Sequence, residues 1–392
     1  MRPLEGIKVV TFEHAIAAPF CTRQLADLGA RVIKIERPGA GDFARGYDER
    51  VRGLASHFVW TNRSKESLTL DVKHAEAMQI VHRLLADADV FVQNLAPGAT
   101  QRLGLDYDTL SGRHERLIVC DISGYGSDGP YRDKKAYDLL IQSESGFLSV
   151  TGAGDEPAKA GCSIADISAG MHAYSSILAA LIERGKTGRG RRIDVSMLES
   201  MVEWMSFPLY YAIDGQTPPQ RNGAAHATIY PYGPFKAGDG KSIMLGLQNE
   251  REWKQFCEAV LRQPELANDA RFNTNSRRVE QRAQLGTLIA DAFSRLTAQD
   301  VIERLEHAKI ANAHINDMHG VWTHEQLAAR ERWTRVNTPA GDIPALIPPG
   351  MTPADNPRMD PVPALGEHTD AILDELGYSA SQVQALRAAG AI

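Results

Sequence analysis

Within its first 36 residues the chain runs strand, helix, strand with almost nothing between them, and no other feature limits the fold as much. IKVVTFE (7–13) is β-branched and apolar and reads as a buried strand. APFCTRQLADLGA (18–30) reads as a helix, with Pro19 in its first turn and Gly29 near its end. RVIKIE (31–36) reads as a second strand. So short a strand–helix–strand unit favours parallel neighbours in one sheet. The pattern recurs in SLTLDV (67–72), the helical AEAMQIVHRLLADA (75–88), DVFVQN (89–94) and RLIVCDIS (116–123). The first half is therefore expected to be α/β, an open parallel sheet of the Rossmann type. Its first strand–helix turn, EHAIAAPF (13–20), has no glycine where the dinucleotide fingerprint needs three, so NAD or FAD does not follow from the fold.

Further on, a long helix is expected over Ile167–Arg184, ended by Gly185 in a left-handed cap, then a strand in RRIDVSM and a helix in LESMVEWM. After QTPPQRNG (216–223) the character changes. IYPYGPF and SIMLGLQ flank the turn KAGDGK and read as a hairpin. Helices follow in EWKQFCEAVL, QLGTLIADAF and AQDVIERLE. Residues 225–325 read as a smaller α+β domain, and the proline-rich 338–363 as an extended connector.

With 43% hydrophobic and 23% charged residues, the 392-residue chain has the balance of a globular protein with a sizeable core. A net charge of -6 without a lysine or arginine run argues against general nucleic-acid binding. Cys21, Cys120, Cys162 and Cys257 form no CxxC pair, which suggests neither a zinc site nor a disulfide framework; reduced thiols in a cytoplasmic protein are the expectation. No signal peptide is evident, and no apolar run approaches the roughly 18 residues of a membrane span. Three motifs fail on inspection. GKT (185–187) has Ala180 where a phosphate loop needs glycine. HEQLA (324–328) has Ala328 where a zinc-protease helix needs its second histidine. GCSIA (161–165) resembles a nucleophile elbow at Ser163, but DEPAKA before it is not strand-like. That leaves Asp166, at the start of the long helix, whose plain reading is an N-cap.

Seven segments, in order along the chain, resemble one family. They are PLEGIKVV, LADLGARVIKIERPGAGD, NRSKESLTLDVK, VFVQNLAPGATQRLGL, DISAGMHAYSSILAAL, KTGRGRRIDVSM and LGEHTDAILDELG. Together they resemble the class III CoA-transferases, which include formyl-CoA transferase, carnitine CoA-transferase and α-methylacyl-CoA racemase. The resemblance implies a large Rossmann-like domain from residues 1–224, to which 326–392 returns after a linker. It also implies a small central domain and a homodimer of interlocked chains. Asp166 would be the nucleophile. The CoA-binding positions would be Ala15, Ile16 and Ala17 after the first strand, and Arg37 in IERP at the nucleotide end. Leu70 and Lys73 in SLTLDVK, Asn94 and Leu95 in QNL, then Ala99, Arg102 and Leu103 continue the set. Lys135 and Met197 complete it. Fixed cations suit the phosphates of CoA. CoA and acyl-CoA would be substrates, with no prosthetic group and no metal.

Two positions depart from relatives. Ile16 stands where formyl-CoA transferase has glutamine, against formyl or oxalyl chemistry. Tyr137 stands where the racemases have histidine; a phenol with a reference pKa of ~10 is a poor acid–base partner near neutrality, so transfer is favoured over racemisation. An aspartate with a reference pKa of ~3.9, at a helix N-terminus, is expected to be ionised at neutral pH. The segment 13–51 is most similar to the branch acting on C4–C5 dicarboxylates such as succinate, mesaconate, citramalate and itaconate. Arg45, Arg50, Arg52 and His226 are candidates for a second substrate carboxylate. Intramolecular CoA transfer, racemisation and non-catalytic CoA binding are the alternatives.

Overall fold

The computed structural model describes residues 1–392, which form two compact units. The first comprises 1–146, 160–206 and 325–392; the second comprises 147–159 and 207–324. In the first unit, strands β1 (Lys8–Phe12), β2 (Arg31–Glu36), β3 (Lys65–Thr69), β4 (Val90–Gln93), β5 (Ile118–Ser123) and β6 (Arg192–Ser196) make one sheet. Its order is 3-2-1-4-5-6, and every pairing is parallel. This is the doubly wound order, with its switch point between β1 and β4, where ligands bind outside the carboxyl ends of the strands.

Helices cover both faces, so the central strands are buried along most of their length rather than alternating between core and solvent. Val9, Val10, Ile33, Phe91, Val92 and Ile118 are wholly buried. Helix α1 (Ala17–Asp27) follows β1 and α2 (Ala75–Ala86) follows β3; Ile80, Val81, Leu84 and Leu85 of α2 pack on Val10, Ile33 and Phe91. Three further helices matter to the site: α3 (Asp138–Glu144), α4 (Ile164–Thr187) and α5 (Met197–Trp204). The chain's last two helices, α6 (Thr369–Glu375) and α7 (Ala380–Ala388), add Ile372, Leu373 and Leu386 to the core of α2.

Helix α4 is longer than its sequence suggests. Gly185 stays helical, and the left-handed cap is Gly188 (φ 75°), whose N–H donates to the Arg184 carbonyl. Arg184 and Lys186 in the last turn suit the negative end of the helix dipole. The proline-rich stretch is more than a connector: Ile343–Leu346 within it pairs antiparallel with Trp333–Val336 around Gly341 (φ 90°).

The second unit contains the expected hairpin, β7 (Tyr232–Lys236) and β8 (Ser242–Gly246), and a third strand, β9 (Ala311–His314), with no apolar pattern to announce it. Trp253, Phe256, Phe272, Ile289 and Phe293 fill its core. It begins before residue 225 and takes in 147–159, which Arg221 holds by donating to the carbonyls of Gly154, Leu148 and Ser149. No helix of either unit is long and apolar enough to cross a membrane.

Candidate active site

The candidate residues from the first half of the chain gather at the carboxyl end of the sheet. Ala15–Ala17 follow β1, Arg37 follows β2, Leu70 follows β3 and Asn94–Leu95 follow β4, while Met197 directly follows β6. Ala99, Arg102 and Leu103 sit on the short helix Ala99–Leu103 behind the β4 turn. Lys135 lies in the loop before α3, and Lys73 beyond β3.

Their side chains differ in what they can offer a ligand; Ala15, Leu95, Ala99 and Leu103 are half-buried. Ile16, Ala17, Leu70 and Met197 are buried in the core and can offer a ligand little but backbone. Arg37, Lys73, Arg102 and Lys135 are exposed and form no ion pair with the protein, which leaves them open to an anionic ligand. Asn94 is committed elsewhere. Its amide accepts from the His14 N–H and donates to the His14 carbonyl, both at 2.9 Å, fixing the turn after β1.

Asp166 lies in the first turn of α4 but is not its cap. The N-cap position is Ser163, whose side chain makes no capping bond. Asp138, on α3, supplies the cap instead: its Oδ1 accepts the Ala165 N–H at 2.8 Å, and its Oδ2 accepts from Gln142 at 2.6 Å. Gln142 is buried and also accepts the Ala160 N–H, so the two side chains bind α3 to the segment leading into α4. No protein donor reaches the Asp166 carboxylate. Burial raises its pKa to about 7, and the charge of Asp138 adds to the rise. The sequence expectation of a fully ionised carboxylate is thereby corrected: loss of solvent outweighs the helix dipole here.

The crossing of α1 and α4 sets where Asp166 stands. A Cβ on Gly170 would lie 2.7 Å from the Ala17 carbonyl oxygen and 3.0 Å from Phe20 Cδ1. Glycine at that position therefore lets the helices touch, one turn beyond Asp166 and at the first residue of α1. Beside them, Tyr47 feels the charges of Asp42, Asp166 and Tyr137; burial first and those charges second push its phenol up to about 12. Tyr47 belongs to a run of ring contacts from His14 through Phe43 to His57. Tyr137 is 67% exposed.

The proposed carboxylate-binding cations fare unequally. Arg45 is paired with buried Glu36 at 2.8 Å and lies 3.8 Å over the Phe58 ring. Arg52 donates to the Asp342 carbonyl. His226, in the second unit, uses Nδ1 to accept the N–H groups of Thr228 and Ile229. Arg50 carries no ion pair. Sequence reasoning missed the buried charges under the β1 turn: Glu13, Lys34, Asp42 and Lys65, all with inaccessible side chains. A lysine inside the strand RVIKIE was the available signal, since a buried ammonium needs a carboxylate partner.

Comparison with known proteins agrees with this architecture. Residues 4–369 match CoA-transferase family III, and the chain belongs to that family of enzymes. Mouse succinyl-CoA:glutarate CoA-transferase is 33% identical over 397 residues, spanning 100% of this chain and 91% of that protein. A succinate–glutarate CoA-transferase from Agrobacterium fabrum is 34% identical, spanning 95% and 96%. A crystal structure of a CaiB/BaiF family protein from Brucella suis, 34% identical, superposes with a TM-score of 0.83 over 96% of this chain and 99% of that one.

Proposed function

We propose that this protein transfers coenzyme A between carboxylic acids, with succinyl-CoA as donor and a C4–C5 dicarboxylate as acceptor, through covalent intermediates on Asp166. The observation that carries the mechanism is the carboxylate itself, released from capping by Asp138 and bonded to no protein donor. The substrate class rests on the mouse and Agrobacterium relatives, whose names specify succinate and glutarate.

Ionised Asp166 attacks the acyl-CoA carbonyl. A mixed anhydride forms as the C–S bond breaks and CoA thiolate leaves. The thiolate then attacks the aspartyl carbonyl, releasing the donor acid and leaving an aspartyl–CoA thioester. The acceptor carboxylate attacks that thioester, and the expelled thiolate takes the new acyl group from the second anhydride, restoring Asp166. Dividing the transfer this way replaces one hard step with easier ones. The N–H groups opening α1 and the exposed cations Arg37, Lys73, Arg102 and Lys135 would hold CoA, with Asn94 shaping the turn. Exposed Tyr137 supplies no histidine-like acid–base partner, which favours transfer over racemisation. We extend the proposal to a cytoplasmic, interlocked homodimer. Within the second unit, Phe207, Leu209, Tyr210 and Tyr211 are all exposed, an apolar surface that a second copy would cover.

The test is trapping. Wild-type protein treated with succinyl-CoA and then hydroxylamine should yield a hydroxamate on the Asp166 peptide by mass spectrometry. Asp166→Asn should fold, bind CoA and lose turnover by several orders of magnitude. An unlabelled peptide together with an active asparagine variant would remove Asp166 from the chemistry.

A further inference from the structure

The turn after β1 is held in a conformation its own sequence does not favour. Ala15 has φ 61°, a left-handed geometry that residues with a Cβ seldom adopt. Asn94 clamps His14 from the β4 side. From the β2 side the restraint is Asp42: its Oδ1 accepts the Ala15 N–H at 3.1 Å and the Ala44 N–H at 2.9 Å. Its Oδ2 takes the ammonium of Lys34 at 2.6 Å, and both side chains are wholly inaccessible. Lys34 stands in the middle of β2 and also reaches Asn62 at 3.0 Å and Glu13 at 3.6 Å, so the anchor is fixed to the sheet. Against burial, which alone would raise it, Lys34 holds the Asp42 carboxyl well below the usual carboxylate range. Immediately past the restrained residue, the N–H groups of Ile16 and Ala17 open α1 without a partner in the chain.

We infer that Asp42, braced by Lys34, is a positioning residue for acyl-CoA: it fixes the left-handed turn at Ala15 and so aims the Ile16–Ala17 donors, and it registers that turn against the Phe43–Gly46 turn leading to Tyr47. The inference rests on the transferase reading above, because it assumes that the turn meets CoA. Asp42 touches no substrate itself. Its effect should therefore fall on acyl-CoA binding and spare the acceptor acid.

The experiment measures CoA affinity by calorimetry and the two Michaelis constants for wild type, Asp42→Ala, Ala15→Gly and the double variant. Asp42→Ala is expected to weaken CoA binding at least tenfold with the acceptor KM within twofold. Glycine reaches positive φ without a Cβ penalty, so adding Ala15→Gly to Asp42→Ala should recover at least threefold of the lost affinity. Should the alanine variant not fold, Asp42→Asn keeps an acceptor for Ala15 and Ala44 while facing Lys34 with an amide, and should bind CoA about threefold more weakly. A folded variant whose CoA affinity matches wild type, or a loss that glycine does not relieve, overturns the assignment. Wild-type protein that binds no CoA overturns the transferase reading along with it; wild-type binding with unaffected Asp42 variants overturns this inference alone.

Discussion

Replacing Asp166 with asparagine should make the protein more stable above neutral pH, and the gain should disappear in acid. The native carboxyl has its pKa raised from an ordinary 3.8 to about 7, first by burial and then by Asp138. In the unfolded chain it ionises near 4. Between those values the native state holds a proton that the unfolded state has lost, so wild-type stability falls as pH rises through that window and stays low above it. About three units at ~1.4 kcal/mol each set a ceiling of ~4 kcal/mol. The side chain keeps some solvent contact, so roughly 1–3 kcal/mol is the realistic difference. Asparagine does not titrate and matches the shape of aspartate. Urea unfolding followed by tryptophan fluorescence at pH 4.5, 6 and 8 reads the result. Asp166→Asn should gain steadily on wild type across the series. If Asp166 were instead a helix-capping anion, ionisation would stabilise the native helix start, and wild type would gain on the variant with rising pH. A flat or reversed difference refutes the argument that burial dominates at this carboxylate.

On the mechanism proposed above, in which ionised Asp166 attacks, the rate of transfer should rise with pH through an acid limb near 7; Asp138→Asn should move that limb down by less than half of the elevation, burial being the larger cause, as a pH profile of kcat/KM would show. Gly170→Ala places a methyl group 2.7 Å from the Ala17 carbonyl oxygen and should cost about 1–3 kcal/mol in thermal unfolding while weakening CoA binding, because α1 must move. Arg37→Ala should weaken CoA at least tenfold at moderate salt without lowering the melting temperature, the loss of a charge-assisted contact worth about 1.5–3 kcal/mol; unchanged affinity in a calorimetric titration removes Arg37 from the site.

The fold was readable where hydrophobic pattern and local turns decide it. Five of the six strands of the sheet fall on segments that are β-branched or apolar in the sequence; β3 (KESLT, Lys65–Thr69) begins two residues before the expected SLTLDV, because its Lys65 and Ser67 are buried through polar partners that no local pattern shows. The order of those strands was not readable, since pairing β1 with both β2 and β4 depends on contacts up to some eighty residues apart. Helix ends misled for a related reason. Gly185 and Gly188 are both plausible stops, and the basic last turn carries α4 on to the second. The strand β9, Ala-Asn-Ala-His, has no intrinsic signal and exists only because β8 offers an edge to pair with. The hairpin that pairs Trp333–Val336 with Ile343–Leu346 tolerates Pro344 on a two-stranded ribbon.

The site shows why local pattern gave Asp166 a capping role and why that role belongs to another residue. The amides at the start of α4 need acceptors, and an aspartate in the first turn is the economical supplier. Asp166 in that role would have its oxygens fixed on backbone and its pKa lowered, both unfavourable for a nucleophile. Asp138 accepts the Ala165 N–H from a different helix, so the need is met across a tertiary contact that no reading of residues 161–170 could reveal. The same contact leaves a second negative charge near Asp166, which raises the pKa of the residue it liberates. One carboxylate thus holds the helix and strengthens the basicity of the other. Asp138 therefore acts on Asp166 through its charge and through the helix start it fixes, and asparagine at 138, which keeps an acceptor for Ala165, separates the two effects.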